Sequence, residues 1–588
     1  MNLPSRALPP LLLPCLLTLL AACTTDKSDD TDTDTGTPSE DGGSGSYGID
    51  SAATSGDGGG SDDGGSSDGG SSDGGSADSG GDGGGSDSGG DGGGSDSGGD
   101  SGGDSGGADT GGPECDTDGD GYLATDCGGD DCDDTDSAVY PGAPDRWNHR
   151  DDDCDGDTDQ ALLDDLASGW TAGLDSEGRI TALDNLLAAD FSGDGTADIA
   201  VGAAFEASEA GRIYVLDGTA VGAWTGDITV DALWSIEGAR AGDNLGFVSN
   251  AAGDLDLDGT VDLVVGARYA EDGGRAWWFD ASSRSGSVDL GDASGIVLGD
   301  QGGTAGWGFD GAGDIDGDGQ ADLVVGDGSA SSPSVGSWSG GPSGTAVLLD
   351  ADAVLTGTSG EGLGETVVSG DVDGDGYDDL LLGAPYTDGT NGAILVVLGG
   401  ASLPAGAVSP WLTISGGAGG YLGSSSRAIA RPADLDGSGA ADLSLADYRG
   451  AGAAYVFLDP AGGTVATADA EVSFTRAGSG LGSTLVAGDA DGDGWADLIA
   501  GAYYDDTDGV DGGAVYTIWG GGLLAGTAYE RATADAILDA GGGDRYVGTA
   551  VALPGDLDGD GRPDLLVGAS WDSTAEYRGG RLLFVPGG

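Results

Sequence analysis

Oxygen ligands recur along this chain at fixed spacing, in seven nine-residue loops rich in Asp and Gly. Positions 1, 3, 5 and 9 of each loop carry a side-chain oxygen, and position 7 offers a backbone carbonyl. The sets are Asp190, Ser192, Asp194, Thr196 and Asp198; Asp254, Asp256, Asp258, Thr260 and Asp262; and Asp314, Asp316, Asp318, Gln320 and Asp322. The next two are Asp371, Asp373, Asp375, Tyr377 and Asp379, then Asp434, Asp436, Ser438, Ala440 and Asp442. The last two are Asp489, Asp491, Asp493, Trp495 and Asp497, and Asp556, Asp558, Asp560, Arg562 and Asp564. Such a set surrounds a hard cation much as the first part of an EF-hand loop does, and the glycine at position 6 allows the sharp turn. Calcium is the expected ion. Ser192 and Ser438 each remove one negative charge, so the first and fifth loops should bind more weakly.

An apolar run follows every loop, as in Asp262-Leu-Val-Val-Gly266. It is continuous, not alternating, as a strand covered on both faces requires. The loop starts are 55 to 67 residues apart. A repeat of that length holds four short strands, and its repetition is the signature of a propeller. The fold class expected is all-β, a seven-bladed β-propeller over residues 165–588.

The residues carry a family resemblance. Ile199-Ala-Val-Gly-Ala203, Leu263-Val-Val-Gly-Ala267, Leu381-Leu-Gly-Ala-Pro385 and Leu566-Val-Gly-Ala569 resemble the second half of the FG-GAP repeat of integrin α-chain propellers. Gly246-Phe247, Gly308-Phe309, Leu363-Gly364, Leu422-Gly423, Leu481-Gly482 and Val547-Gly548 resemble the first half. The resemblance implies calcium at the rim of one face and macromolecular ligands on the other. Integrins keep such loops in only some blades, so seven of seven resembles bacterial secreted relatives more closely. The last unit lacks an outer strand after Arg581-Leu-Leu-Phe-Val585, and the segment around Trp170 is expected to supply it and close the ring.

Residues 1–22 read as an export signal, with an apolar stretch from Leu8 to Ala22 after Arg6. Leu20-Ala-Ala-Cys23 resembles a bacterial lipobox, which implies lipidation at Cys23 and, with Thr24 following, the outer membrane. Residues 23–112 are nearly all Gly, Ser, Asp and Thr, which reads as a disordered acidic tether. Residues 113–160 are dense in Cys and Asp. Two calcium-type starts are read there, Asp116, Asp118 and Asp120, and Asp153, Asp155 and Asp157. Cys115, Cys127, Cys132 and Cys154 are an even set in an exported chain, so two disulfides are expected in one of three pairings. With Asp131-Cys-Asp-Asp134 and Val139-Tyr-Pro-Gly-Ala-Pro144, the segment resembles a small metal-binding module of myxobacterial surface proteins. That module usually has a cysteine where this chain has Trp147. Some relatives are linked to copper, but the carboxylates here suit calcium. His149, the only histidine, reads as a solvated loop residue.

The chain holds 104 acidic and 19 basic residues, a formal net charge of −85. Such a surface excludes nucleic-acid binding. The loop carboxylates repel one another unless cations join them. At millimolar calcium and a Kd of about 0.1–1 mM, each loop adds roughly 0.4–1.4 kcal/mol, and seven together roughly 3–10. Three functions are open: a lipid-anchored, calcium-stabilised surface adhesin whose monomeric propeller binds a protein or glycan, a structural envelope or matrix component, and an extracellular polysaccharide hydrolase or lyase. No His or Cys occurs in 165–588, which removes His-dependent nucleophiles from the third.

Overall fold

The apolar run after each Asp loop forms the second strand of an antiparallel meander. In the fourth unit it is Asp379–Ala384, flanked by Thr366–Gly370 and Ala393–Val397, with Leu412–Ser415 outermost. All six residues of Asp379–Ala384 are buried, because neighbouring sheets cover both faces. The computed structural model describes residues 115–588, except 144–145, 157–159, 163–185, 271–272, 283, 300–302, 312, 329–330, 508, 524–525, 531–532, 544, 571–579 and 588. The expectations for the export signal, Cys23, the tether and Asp157 lie outside these residues. No helix among those described is long and apolar enough to cross a membrane.

Seven sheets form the blades of a β-propeller. The core lies between blades. Ile213, Val215 and Trp234 of blade 1 pack with Leu263, Val265 and Phe279 of blade 2. Leu186, Ile199 and Tyr214 of blade 1 also pack with Ala550, Leu566 and Phe584 of blade 7, which closes the ring. In blade 5 the innermost strand is reduced to the bridges Ile429–Leu445 and Ala433–Asp442.

The two halves of the repeat meet through backbone. A Cβ on Gly383 would lie 2.2 Å from the carbonyl oxygen of Gly423, and one on Gly501 would lie 2.0 Å from that of Gly548. Glycine in the second strand therefore lets the next blade's entry turn, itself at positive φ, seat against it.

Five of the sheets have five strands where the repeat length suggested four. The extra strand comes from the link between the third and fourth strands of the next blade, laid parallel on the outer strand. Gly286–Val288 lies on Ala232–Glu237 and Gly463–Ala466 on Leu412–Ser415 in this way. An outer edge that would otherwise be open is thereby paired. On blade 6 the same place beside Ala536–Asp539 is taken by Gln160–Leu162 from the N-terminal side. In most of the other cases the fourth strand starts nine residues after the fifth-strand segment begins, as at Gly295 after Gly286 and Val472 after Gly463, but Leu412 follows Gly406 by six. Blade 7 has three described strands. The closing strand expected around Trp170 lies outside the described residues.

Disulfides Cys115–Cys127 and Cys132–Cys154 staple the segment before the propeller. This picks one of the three pairings open from sequence.

Candidate metal centres and an aromatic face

Each loop is folded by its own carboxylates. In the second, the position-1 Asp254 accepts from the amides of Asp258 (3.0 Å) and Gly259 (2.9 Å). Asp256 accepts from Asp258, and Asp258 accepts from Thr260. The position-9 Asp262 reaches back to the amide of Leu255 at 2.8 Å. The chain turns through positive φ at position 4 and again at position 6. In blade 4 these are Gly374 (φ 76°) and Gly376 (φ 91°), while blade 2 places Leu257 at position 4 with φ 63°. The turns leave carboxylate oxygens of Asp254, Asp256 and Asp262 within 4.8 Å of one another. Oxygen-only sets of this kind suit a hard divalent cation.

Position 9 does structural work as well. In blade 4, Asp379 accepts from Val372 (2.8 Å) with one oxygen and from Gly399 (2.8 Å) beyond the third strand with the other. Asp198, Asp442, Asp497 and Asp564 make the same two-ended bracket, to Gly218, Asp459, Gly520 and Gly587 at the far end. In blades 2 and 3 the second oxygens of Asp262 and Asp322 have no hydrogen-bond partner. Burial pushes Asp262 up to about 8 and Asp322 up to about 7, and Asp379 and Asp497 up to about 6. The neighbouring loop carboxylates push the same way.

Two acids that sequence reading missed enter from the end of the third strand. Asp280 groups with Asp256 and Asp258 in blade 2. Asp459 takes the Ser438 hydroxyl at 2.8 Å in blade 5 and returns the charge that serine omits. The fifth loop is therefore better supplied than its own nine residues suggest.

The disulfide segment uses the same loop. At Asp116, Asp118 and Asp120, Gly119 and Gly121 have φ of 83° and 101°. The second loop needs a correction of frame: it begins at Asp151, not Asp153. Asp151 accepts from Asp155 (3.1 Å) and Gly156 (2.9 Å), as position 1 does in the propeller, with Cys154 and Gly156 at positive φ. Asp151, Asp153 and Asp155 then form the carboxylate group.

This segment docks on blades 6 and 7. Trp147 is buried among Val515, Leu538 and Val585, and its Nε1 donates to Thr517 at 3.3 Å. His149 is not merely solvated. It stacks on Trp519 at 5.1 Å and its Nδ1 lies 3.0 Å from Asp491 Oδ2, at position 3 of the sixth loop.

The opposite face of the ring carries turns after each second strand and before each first strand. Aromatic side chains gather there. Phe205 meets Phe247 edge-on, and Phe247 stacks on Trp307 at 5.5 Å. Arg268 lies over Trp307 at 3.1 Å and over Tyr269 at 4.4 Å. Around the ring, Tyr386 pairs with Tyr421, and Tyr503, Tyr504 and Tyr546 form a cluster. Burial pushes Glu365 up to about 7, against the pull of the Tyr386 hydroxyl, Arg268 and Arg449. Tyr269 is 52% exposed and Tyr386 43%. The repeat gave no sign of this face, because its members sit in turns of unequal length.

Residues 184–216, 363–397, 481–518 and 547–583 match the FG-GAP repeat. Four of the seven blades carry FG-GAP repeats. Residues 131–160 match a metal-binding motif named for copper-binding MopE. Integrin alpha-7 of Homo sapiens and that of Rattus norvegicus are each 38% identical to the chain over 119 residues, 19% of this chain and 10% of theirs. Integrin alpha-PS2 of Drosophila melanogaster is 38% identical over 112 residues, 18% of this chain and 8% of its own. The chain thus spans about a tenth of the length of these relatives. Trp147, which stands where the resemblance implied a cysteine, is buried against the propeller.

Proposed function

We propose that this protein is a calcium-stabilised binding protein of the cell surface, held there by a lipid on Cys23, that captures a macromolecule on the aromatic face of its propeller. The observation that carries this reading is the division of labour between the two faces. One is a ring of oxygen-lined loops built to one plan. The other gathers exposed tyrosines with Arg268 and Arg449, the side-chain types that dominate recognition surfaces, and sets Glu365 among them. Similarity to integrin α chains supports the same reading, and the absence of His and Cys from residues 165–588 supports binding over His-dependent catalysis. Calcium fits the loops because every described side-chain donor is an oxygen. The test is a glycan and protein array probed with the purified protein in millimolar calcium. Reproducible capture that Tyr269→Ala weakens is the expected result. Silence across both arrays favours a structural envelope role, and turnover of a captured polysaccharide means an enzyme.

A further inference from the structure

The loop at Asp116 lacks the ninth-position acid that all seven propeller loops possess, because position 9 is Ala124. The fold makes up for it from outside the loop. Ala124 forms a parallel bridge with Asp131, whose amide donates to Leu123 at 3.2 Å. Asp134 accepts from the Thr117 amide at 3.0 Å, the position-2 contact that the ninth residue makes in the propeller. Asp131 is 1% exposed, and its Oδ2 has no hydrogen-bond partner. Asp118 Oδ2 and Asp120 Oδ2 are likewise buried without partners, and the three carboxylates lie within 4.8 Å of one another. Arg150, a cation of the same segment, is committed to Asp133 at 2.8 Å and Asp136 at 2.9 Å.

We infer that Asp118, Asp120 and Asp131 hold a hard divalent cation, calcium by class, in a site completed across the Cys115–Cys127 disulfide loop. Three carboxylates this close, each with a buried oxygen that has no hydrogen-bond partner, repel unless a cation joins them, and no described nitrogen or sulfur donor belongs to the set. The motif match begins at Asp131, so two of the three ligands lie outside it. The donor set also departs from the copper in the motif's name: it is all oxygen, and the single histidine is engaged at Asp491. The site stands independently of the propeller loops.

Calorimetric titration of the full chain with calcium tests the assignment, with Asp131→Asn and Asp120→Asn as separate variants and Asp371→Asn as the propeller control. Each module variant is expected to lose one calcium per chain while mapping of the Cys115–Cys127 and Cys132–Cys154 bonds shows the module folded. A full complement of calcium in both variants overturns the inference. So does copper displacing calcium from the site that Asp131→Asn removes. If Asp371→Asn alone changes nothing, the propeller reading fails and this one stands.

Discussion

The two faces of the propeller are built on opposite principles. On the loop face every blade repeats one turn, with an Asp at position 1 gathering amides, and in five blades the Asp at position 9 also ties the loop to the end of the third strand, as Asp371 and Asp379 do. On the other face the turns differ in length and in side chain. Phe247 and Trp307 stand in blades 2 and 3, Glu365 in blade 4, and Ser424, Ser483 and Thr549 in blades 5 to 7, each just after the entry glycine. Sameness marks what the ring needs to stand, and difference marks what it can recognise. Substitutions on the repeated framework should therefore cost stability in every blade, and those on the irregular face should cost binding alone.

Gly383→Ala tests the framework most severely. Its Cβ would meet backbone at 2.2 Å, so a loss of about 3 kcal/mol or failure to fold is expected in denaturant unfolding. Next comes Asp371→Ala, expected to cost about 1–3 kcal/mol in millimolar calcium because it removes the ion with the turn's own acceptor. Asp190→Ala should cost less, since Ser192 already leaves the first loop one charge short, and Asp434→Ala should fall between because Asp459 supports the fifth. Equal losses at Asp371 and Asp190 would mean that the loops are turns only.

A pH series in EDTA sharpens the point. Asp262 and Asp322 are held at about 8 and about 7, against 3.8 without burial. Raised carboxyl values stabilise the fold below the unfolded value, and that stability is lost as pH climbs through the folded ones. The metal-free protein should thus melt lower at pH 8 than at pH 5, and calcium should cancel most of the difference. The smallest effect belongs to the other face. Tyr269→Ala should change stability by under about 0.5 kcal/mol while weakening ligand capture, as measured by thermal unfolding and array signal.

What could be read from the sequence was local. The Asp loops and the buried strands such as Asp379–Ala384 lie in short contiguous stretches, and their spacing gave the blade count. Fifth strands were not legible, because segments such as Gly286–Val288 are short, largely exposed and paired with a strand some fifty residues away. Asp280, Asp459 and Asp131 reach their loops through strand ends and a bridge, so no spacing within a loop reveals them. The frame at Asp151 was a different matter. Asp151 and Asp153 both open an alternating Asp pattern, and Gly156 at the sixth position from Asp151 was the signal that could have decided it.

Calorimetry of the intact protein in millimolar calcium and again in EDTA tests the central claim most directly. Seven loops contributing roughly 3–10 kcal/mol together should move the midpoint of a domain this large by roughly 3–10 °C, reversibly on calcium return. An unchanged midpoint would contradict the account.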